Sequence, residues 1–353
     1  MPGQRHTGRA AKSGRVVDTC PARCAVYPLA NLCSQKSFGP VAVHALTWEL
    51  PMPGLKDRLT GAGYSLGWSV VCRLPESWAR QGFRLAADIA WRRRGPRVEV
   101  LEGNLRRVIG GEQSDGQLRA LSRQTMRSYA RYWLEIFRLP VMPAERLAGG
   151  MHDSGHLQAA LDYVAAGRGV VFALPHMGNY DQAAAWIIGS GAGSVTAVAE
   201  RLKPESVYQR FVAFREGLGM EVLPASGGTG SPFGVLAQRL RAGKIAVLVC
   251  DLDVTGGGIE VDFFGEKARM MGGSAALAVH TGAALMPVTL WFEGDDWGVH
   301  VHEEIPAPAK GDRRQKTAAM MQEVARVFEA GIRAHPQDWH MLQRVFVADL
   351  DPG

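Results

Sequence analysis

Cysteine is scarce in this 353-residue chain, with five residues at Cys20, Cys24, Cys33, Cys72 and Cys250. An odd number excludes a fully paired disulfide framework, so a reducing compartment is the expectation. Cys20 and Cys24 have no second Cys or His pair at zinc spacing, and no metal site is expected. Cys250 ends an apolar run and reads as a core residue. Long apolar runs are lacking too. The nearest approach to a membrane span, Met270 to Phe292, holds His280, several glycines and Pro287, and reads as a helix, a turn and a buried strand. The chain starts polar, without the apolar stretch of a signal peptide. Net charge is small for the length: +6, of which residues 1–51 carry +4 and all the rest only +2. A nearly balanced body argues against a nucleic-acid binder. There is no P-loop, no HExxH and no GxSxG element, so an α/β-hydrolase reading has no nucleophile. Gly189-Ser190-Gly191-Ala192-Gly193 follows a helical pattern instead of a strand and reads as a helix stop, not a dinucleotide loop.

What the chain does have is His176-Met177-Gly178-Asn179-Tyr180-Asp181, directly after the apolar run Gly169-Val170-Val171-Phe172-Ala173-Leu174-Pro175. The run reads as a buried strand bounded by Gly169 and Pro175, with Asn179 available to cap a following helix. Residues five apart on a regular helix lie about 140° apart on the wheel, so His176 and Asp181 do not face each other within one helix. They meet if His176 sits in the strand-to-helix loop and Asp181 in the first helical turn. That arrangement gives a base and an orienting carboxylate at the carboxyl ends of the strands, where open α/β sheets place their sites. Short His…Asp spacings also arise by chance; the strand before it and the cap after it separate this one from chance.

Residues 1–51 lack periodicity and are rich in Gly, Arg, Ser and Pro. They are expected to be a disordered extension or an over-called start, with Met52 the natural first residue. Residues 52–353 are expected to form a single domain: a helical part over 52–150 and an α/β part over 151–353. Within the helical part, Arg73 to Arg107 carries nine arginines and four acids, interleaved with Trp78, Phe83, Leu85, Ile89 and Trp91. This is the pattern of an amphipathic helix lying on a membrane surface, and equally that of a surface helix packing its apolar stripe on the core. Helices and strands alternate after His156. Strands are expected at 170–174, 194–198, 221–223, 245–250, 259–264, 285–292 and 298–302. Helices are expected at 157–166, 181–188, 204–217, 233–242, 273–281 and 313–334. The fold class is therefore α/β, a mostly parallel central sheet flanked by helices.

Four further segments carry a resemblance. Val198-Ala199-Glu200-Arg201-Leu202-Lys203-Pro204-Glu205 leads to Tyr208-Gln209-Arg210-Phe211 and Arg215. Ile259 to Glu266 leads to Arg269-Met270. Ser128 to Trp133 leads to Phe137-Arg138-Leu139-Pro140, and Asp338-Trp339-His340-Met341-Leu342-Gln343 closes the chain. With the His-x4-Asp box, these resemble the lipid A biosynthesis acyltransferase superfamily and, within it, the phosphatidylinositol mannoside acyltransferases, from about Asp57 to Phe346. The resemblance implies transfer of a long acyl chain, typically palmitoyl, from acyl-CoA to a mannose hydroxyl. It implies a peripheral enzyme on the inner leaflet of the cytoplasmic membrane, held by N-terminal helices, with no metal or prosthetic group. It makes His176 the general base, supported by Asp181, and puts Asp251 at the position of the second catalytic acid. There this sequence departs from the mannoside acyltransferases it resembles, which carry Glu, and is similar to the wider branch, which carries Asp; the shorter arm alters its reach to His176 by roughly one C–C bond. Glu200 and Arg215 match two further polar positions, with Arg215 suited to CoA or to the carbonyl oxygen. Asp262, Arg269 and the loop Ser226-Gly227-Gly228-Thr229-Gly230 are weaker candidates. His280, His302 and His340 read as structural. Two other readings stay open: the same chemistry on another glycolipid or a lysophospholipid, and a catalytically silent membrane-surface protein.

Overall fold

The computed structural model describes residue 63 and residues 66–110, 114–201, 205–226 and 231–350. The expectations for residues 1–51 and for Gly227 to Gly230 lie outside the described residues. Helical residues 66–73 precede three long helices, α1 (Glu76–Arg93), α2 (Pro96–Ile109) and α3 (Asp115–Arg138). Pro96 opens α2 at its first turn, where a missing N–H costs nothing. A capping box starts α3: Ser114 Oγ accepts from the Gln117 backbone, and Gln117 Oε1 accepts from the Ser114 backbone. The short α4 (Ala144–Gly149) leads into the sheet region.

In chain order the sheet region contains β1 (Met151–Asp153), α5 (Leu157–Ala165), β2 (Val170–Leu174), α6 (Tyr180–Ile187), β3 (Val195–Ala199), α7 (Glu205–Gly217), β4 (Met220–Pro224), α8 (Pro232–Arg241) and β5 (Ile245–Val249). It continues with β6 (Ile259–Phe263), β7 (Glu266–Met270), α9 (Gly273–Thr281), β8 (Ala284–Glu293), β9 (Asp296–Val301) and α10 (Arg313–Ala334). Seven strands form one sheet in the order β1-β9-β8-β2-β5-β3-β4. Every neighbouring pair is parallel except β8 with β9. The expected mostly parallel sheet is therefore present.

Both faces of the central strands are covered, which is why they read as unbroken apolar runs. Side chains alternate across the sheet. Val171, Ala173, Ala246 and Leu285 face one core with α8, α9 and α10; Val170, Phe172, Ile245 and Met286 face the other with α5 and α6. The helical part has its own apolar cluster on Leu101, Leu105 and Leu118, and a second one joins Trp68 and Tyr132 to Phe211 of α7.

Two features depart from the sequence reading. The run after Ile259 is not part of the main sheet; it pairs with β7 in a separate antiparallel hairpin turned by Phe264 and Gly265, both at positive φ. Strands β7 and β1 are absent from the expectation; β1 spans only three residues and forms the sheet edge, paired with β9. Among the described residues no helix is long and apolar enough to cross a membrane.

Candidate active site

The parallel register of β2 and β5 sets Leu174 opposite Val249. The residues that follow, Pro175-His176 and Cys250-Asp251, therefore leave the sheet side by side at its carboxyl edge. Cys250 N still bonds Leu174 O at 2.9 Å. The helix after β2 packs on one face, and the helix after β5 on the other. The carboxyl edge between two such strands is where open α/β sheets bind ligands.

His176 Nδ1 lies 2.6 Å from Asp251 Oδ1, and the His176 backbone N–H donates to Asp251 Oδ2 at 2.9 Å. Asp251 Oδ2 also accepts from Trp339 Nε1 at 2.9 Å. The carboxylate is fully buried, whereas the His176 side chain is 34% exposed, so its remaining nitrogen can be reached from solvent. A carboxylate on Nδ1 fixes that nitrogen as N–H and leaves Nε2 as the lone pair. Burial works to lower the imidazole pKa, but the charge and hydrogen bond of Asp251 outweigh it and hold it above 6.5.

The loop that carries His176 is braced on all sides. Gly178 adopts a φ of +58°, and a Cβ there would lie 2.8 Å from the Leu290 backbone, so both conformation and space require glycine. Asn179 Oδ1 caps α6 through Gln182 N at 3.0 Å, and its amide donates to Glu135 Oε2 at 2.8 Å. Glu135 also accepts from Trp297 Nε1 and Arg131, tying α3 to the loop. A strap, residues 338–340, runs against the loop: Gly178 N donates to Asp338 O at 3.0 Å, and His340 N to His176 O at 2.8 Å.

Asp181 lies in the first turn of α6, as expected, but its carboxylate does not reach His176. It forms a bidentate pair with Arg215, Nε to Oδ1 at 2.7 Å and Nη2 to Oδ2 at 3.1 Å. Tyr132 Oη adds a bond at 3.2 Å and joins Tyr180 Oη. Burial lowers the Arg215 pKa and Asp181 raises it by more, so the guanidinium stays charged. The physical reason is direction: the α6 start points Asp181 toward α3 and α7, while the parallel register delivers Asp251 to the imidazole. Glu200 directly follows β3 at the same carboxyl edge and is exposed. Asp262 and Arg269 lie on the separate hairpin, where Asp262 pairs with Lys267 at 2.7 Å. His280 meets Arg241, and His302 meets Thr289. Among the described residues no three His, Cys, Asp or Glu side chains converge to hold a metal.

Sequence reasoning missed Trp339 and Glu135. The signal for the first was the closing Asp338-Trp339-His340 segment; for the second it was Glu135 four residues after Arg131, an acid among the apolar residues Tyr132, Trp133, Leu134, Ile136 and Phe137 of α3. An apolar groove of about 330 Å³ between α1 and α3 is lined by Phe83, Ala87, Ala90, Tyr129 and Trp133, among others. Its Tyr129 wall touches the His340 ring, with centroids 5.5 Å apart, so the groove ends beside the strap.

The model of the bacterial lipid A biosynthesis acyltransferases matches residues 58–347. A phosphatidylinositol mannoside acyltransferase of Mycolicibacterium smegmatis is 47% identical over 307 residues, covering 86% of this chain and 96% of its own length. A protein of the same name from Mycobacterium tuberculosis is 46% identical, covering 85% of this chain and 92% of its own. With a match that spans the described sheet, helices and carboxyl-edge site, the chain belongs to the bacterial lipid A biosynthesis acyltransferase family.

Proposed function

We propose that this protein moves a long acyl chain, palmitoyl by the resemblance, from acyl-CoA to a mannose hydroxyl of phosphatidylinositol mannosides. The observation that carries the reading is the His176–Asp251 pair, a buried carboxylate on Nδ1 behind a solvent-reachable Nε2. A sugar hydroxyl is a weak nucleophile at neutral pH and needs a positioned base. In the proposed reaction His176 Nε2 takes the hydroxyl proton as the oxygen attacks the thioester carbonyl carbon. The C–S bond then breaks, and the departing CoA sulfur receives that proton. Asp251 holds the tautomer and the ring plane and balances the imidazolium.

Asp181 acts in this account through Arg215 and the start of α6. Its pair uses Arg215 Nε and Nη2 and presents the rest of the guanidinium toward a substrate oxygen. Glu200, exposed at the edge of β3, would accept from sugar hydroxyls. The groove between α1 and α3 suits the acyl chain: it is apolar and in the size range of small-ligand sites. Trp78, Leu85 and Ile89 are exposed along α1 beside its arginines, which supports a peripheral seat on the inner leaflet of the cytoplasmic membrane. No prosthetic group enters these steps.

The test is transfer of radiolabel from palmitoyl-CoA, with phosphatidylinositol mannosides and a lysophospholipid offered as competing acceptors. Label on the mannoside is the expected result. Label on the lysophospholipid alone would move the reading to another acceptor, and no label anywhere, with no CoA released, would favour a silent surface protein.

A further inference from the structure

The three donors to the Asp251 carboxylate are unequal in origin. Two of them, the backbone N–H and Nδ1, come from His176 itself. Bonds within the pair leave its orientation to the rest of the protein unset. The third donor, Trp339 Nε1, is the one among the described residues that ties the carboxylate to a different segment. That segment is firmly anchored. Ser128 Oγ of α3 donates to Asp338 Oδ1 at 2.6 Å, Phe292 N donates to Asp338 Oδ2 at 3.1 Å, and Asn104 of α2 donates to Met341 O and Gln343 O, each at 2.9 Å. Trp339 is itself fully buried, packed on Phe263 and Phe264. A buried indole needs a partner for its N–H, and a backbone carbonyl would have served. Here the partner is the carboxylate that holds the base.

We infer that Trp339 is a positioning residue for acyl transfer, its indole N–H fixing the Asp251 carboxylate plane and sharing its charge so that His176 presents Nε2 to the acceptor. The inference rests on the His176–Asp251 pair being the base of the proposed reaction. Removing the N–H leaves the buried carboxylate with the two His176 donors alone. Its charge is then balanced more by the imidazolium, and the imidazole becomes harder to deprotonate.

Other titratable and charged groups face the pair. Cys250 is pushed up to about 12 by burial and the neighbouring Asp251, and His340 is held down at about 3 by burial and by His176. Asp338 is raised to about 6 by burial. Tyr180, whose ring centroid is 6.4 Å from that of His176, joins Tyr132 and the Asp181–Arg215 pair behind it. The Asp253 carboxylate is engaged by Thr255 and Gly258, and Glu200 stands at the edge. All of these stay in place when only the indole nitrogen is changed.

The experiment replaces Trp339 site-specifically with benzothienylalanine, an isostere carrying sulfur in place of N–H, beside Trp339→Phe. Two readouts are taken: the NMR titration of the His176 imidazole, and the pH profiles of kcat and kcat/KM for acyl transfer. The expected result for the isostere is a His176 midpoint and an acid limb displaced upward together by about one pH unit, with kcat about tenfold lower and KM nearly unchanged. A folded isostere variant with the wild-type titration and profile would overturn the inference, because a packing role alone moves neither. Should Trp339→Phe fail to fold, the isostere still decides. Should wild type show no transfer, the functional reading fails while the His176 titration still tests the indole.

Discussion

Removing the Arg215 guanidinium should be among the most destabilising single changes in the site. Asp181 is 3% exposed, and Arg215 supplies two of its bonds. Arg215→Met keeps the apolar stem but leaves the buried carboxylate with the Tyr132 hydroxyl as its remaining donor. Breaking a buried pair from one side costs about 3–5 kcal/mol. For a folded body of this size, at about 2 °C per kcal/mol, that is a fall in Tm of roughly 6–10 °C. Adding Asp181→Asn removes the stranded charge and should restore most of the loss, since the amide oxygen can still accept from Tyr132. Thermal unfolding followed by circular dichroism reads both effects, and kcat/KM for acyl transfer separates structure from substrate binding. If the guanidinium also meets a substrate oxygen, the double variant regains stability and stays about 10–100-fold low in kcat/KM. A single variant as stable as wild type, or a double variant no better than the single, would refute the reasoning.

Other outcomes follow from the same geometry. The acid limb of the kcat/KM profile should lie above 6.5, because Asp251 holds the imidazole pKa up and the reaction needs the neutral ring; Asp251→Asn should remove that elevation and lower kcat by about 100-fold or more. The stabilisation from the His176–Asp251 pair carries the opposite sign: it is complete below the unfolded-state His pKa and is lost as pH rises through the elevated folded value, which pH-dependent unfolding of His176→Ala against wild type would measure. Replacing Trp78, Leu85 and Ile89 together by Ser should weaken co-sedimentation with anionic vesicles and leave Tm within about 1–2 °C, since all three are exposed. Unchanged sedimentation would remove α1 from the membrane seat.

Some of this was legible in the sequence, and the reason is local. Strand β2 declares itself because both of its faces are buried; α9 is a short apolar run stopped by the left-handed Gly282, and α10 shows apolar periodicity after the Asp312 cap. The helix cap at Asn179 follows from its residue type. What stayed hidden is long-range. The imidazole's partner stands 75 residues away and was visible through resemblance, not through spacing. The His-x4-Asp box suggested a direct pair, but the α6 axis carries Asp181 to Arg215. Trp339 Nε1 reaches a residue 88 positions away, and no local pattern encodes that bond. Strand β6 was expected at almost its observed bounds, but its polar partner β7 and the three-residue β1 gave no signal of their own.

The central claim is that His176 is the base. Wild type and His176→Ala should be compared for transfer of radiolabelled palmitate from palmitoyl-CoA to phosphatidylinositol mannosides, each shown folded by thermal unfolding. The variant should lose about 100-fold or more in kcat. A folded His176→Ala protein that transfers at the wild-type rate would contradict it.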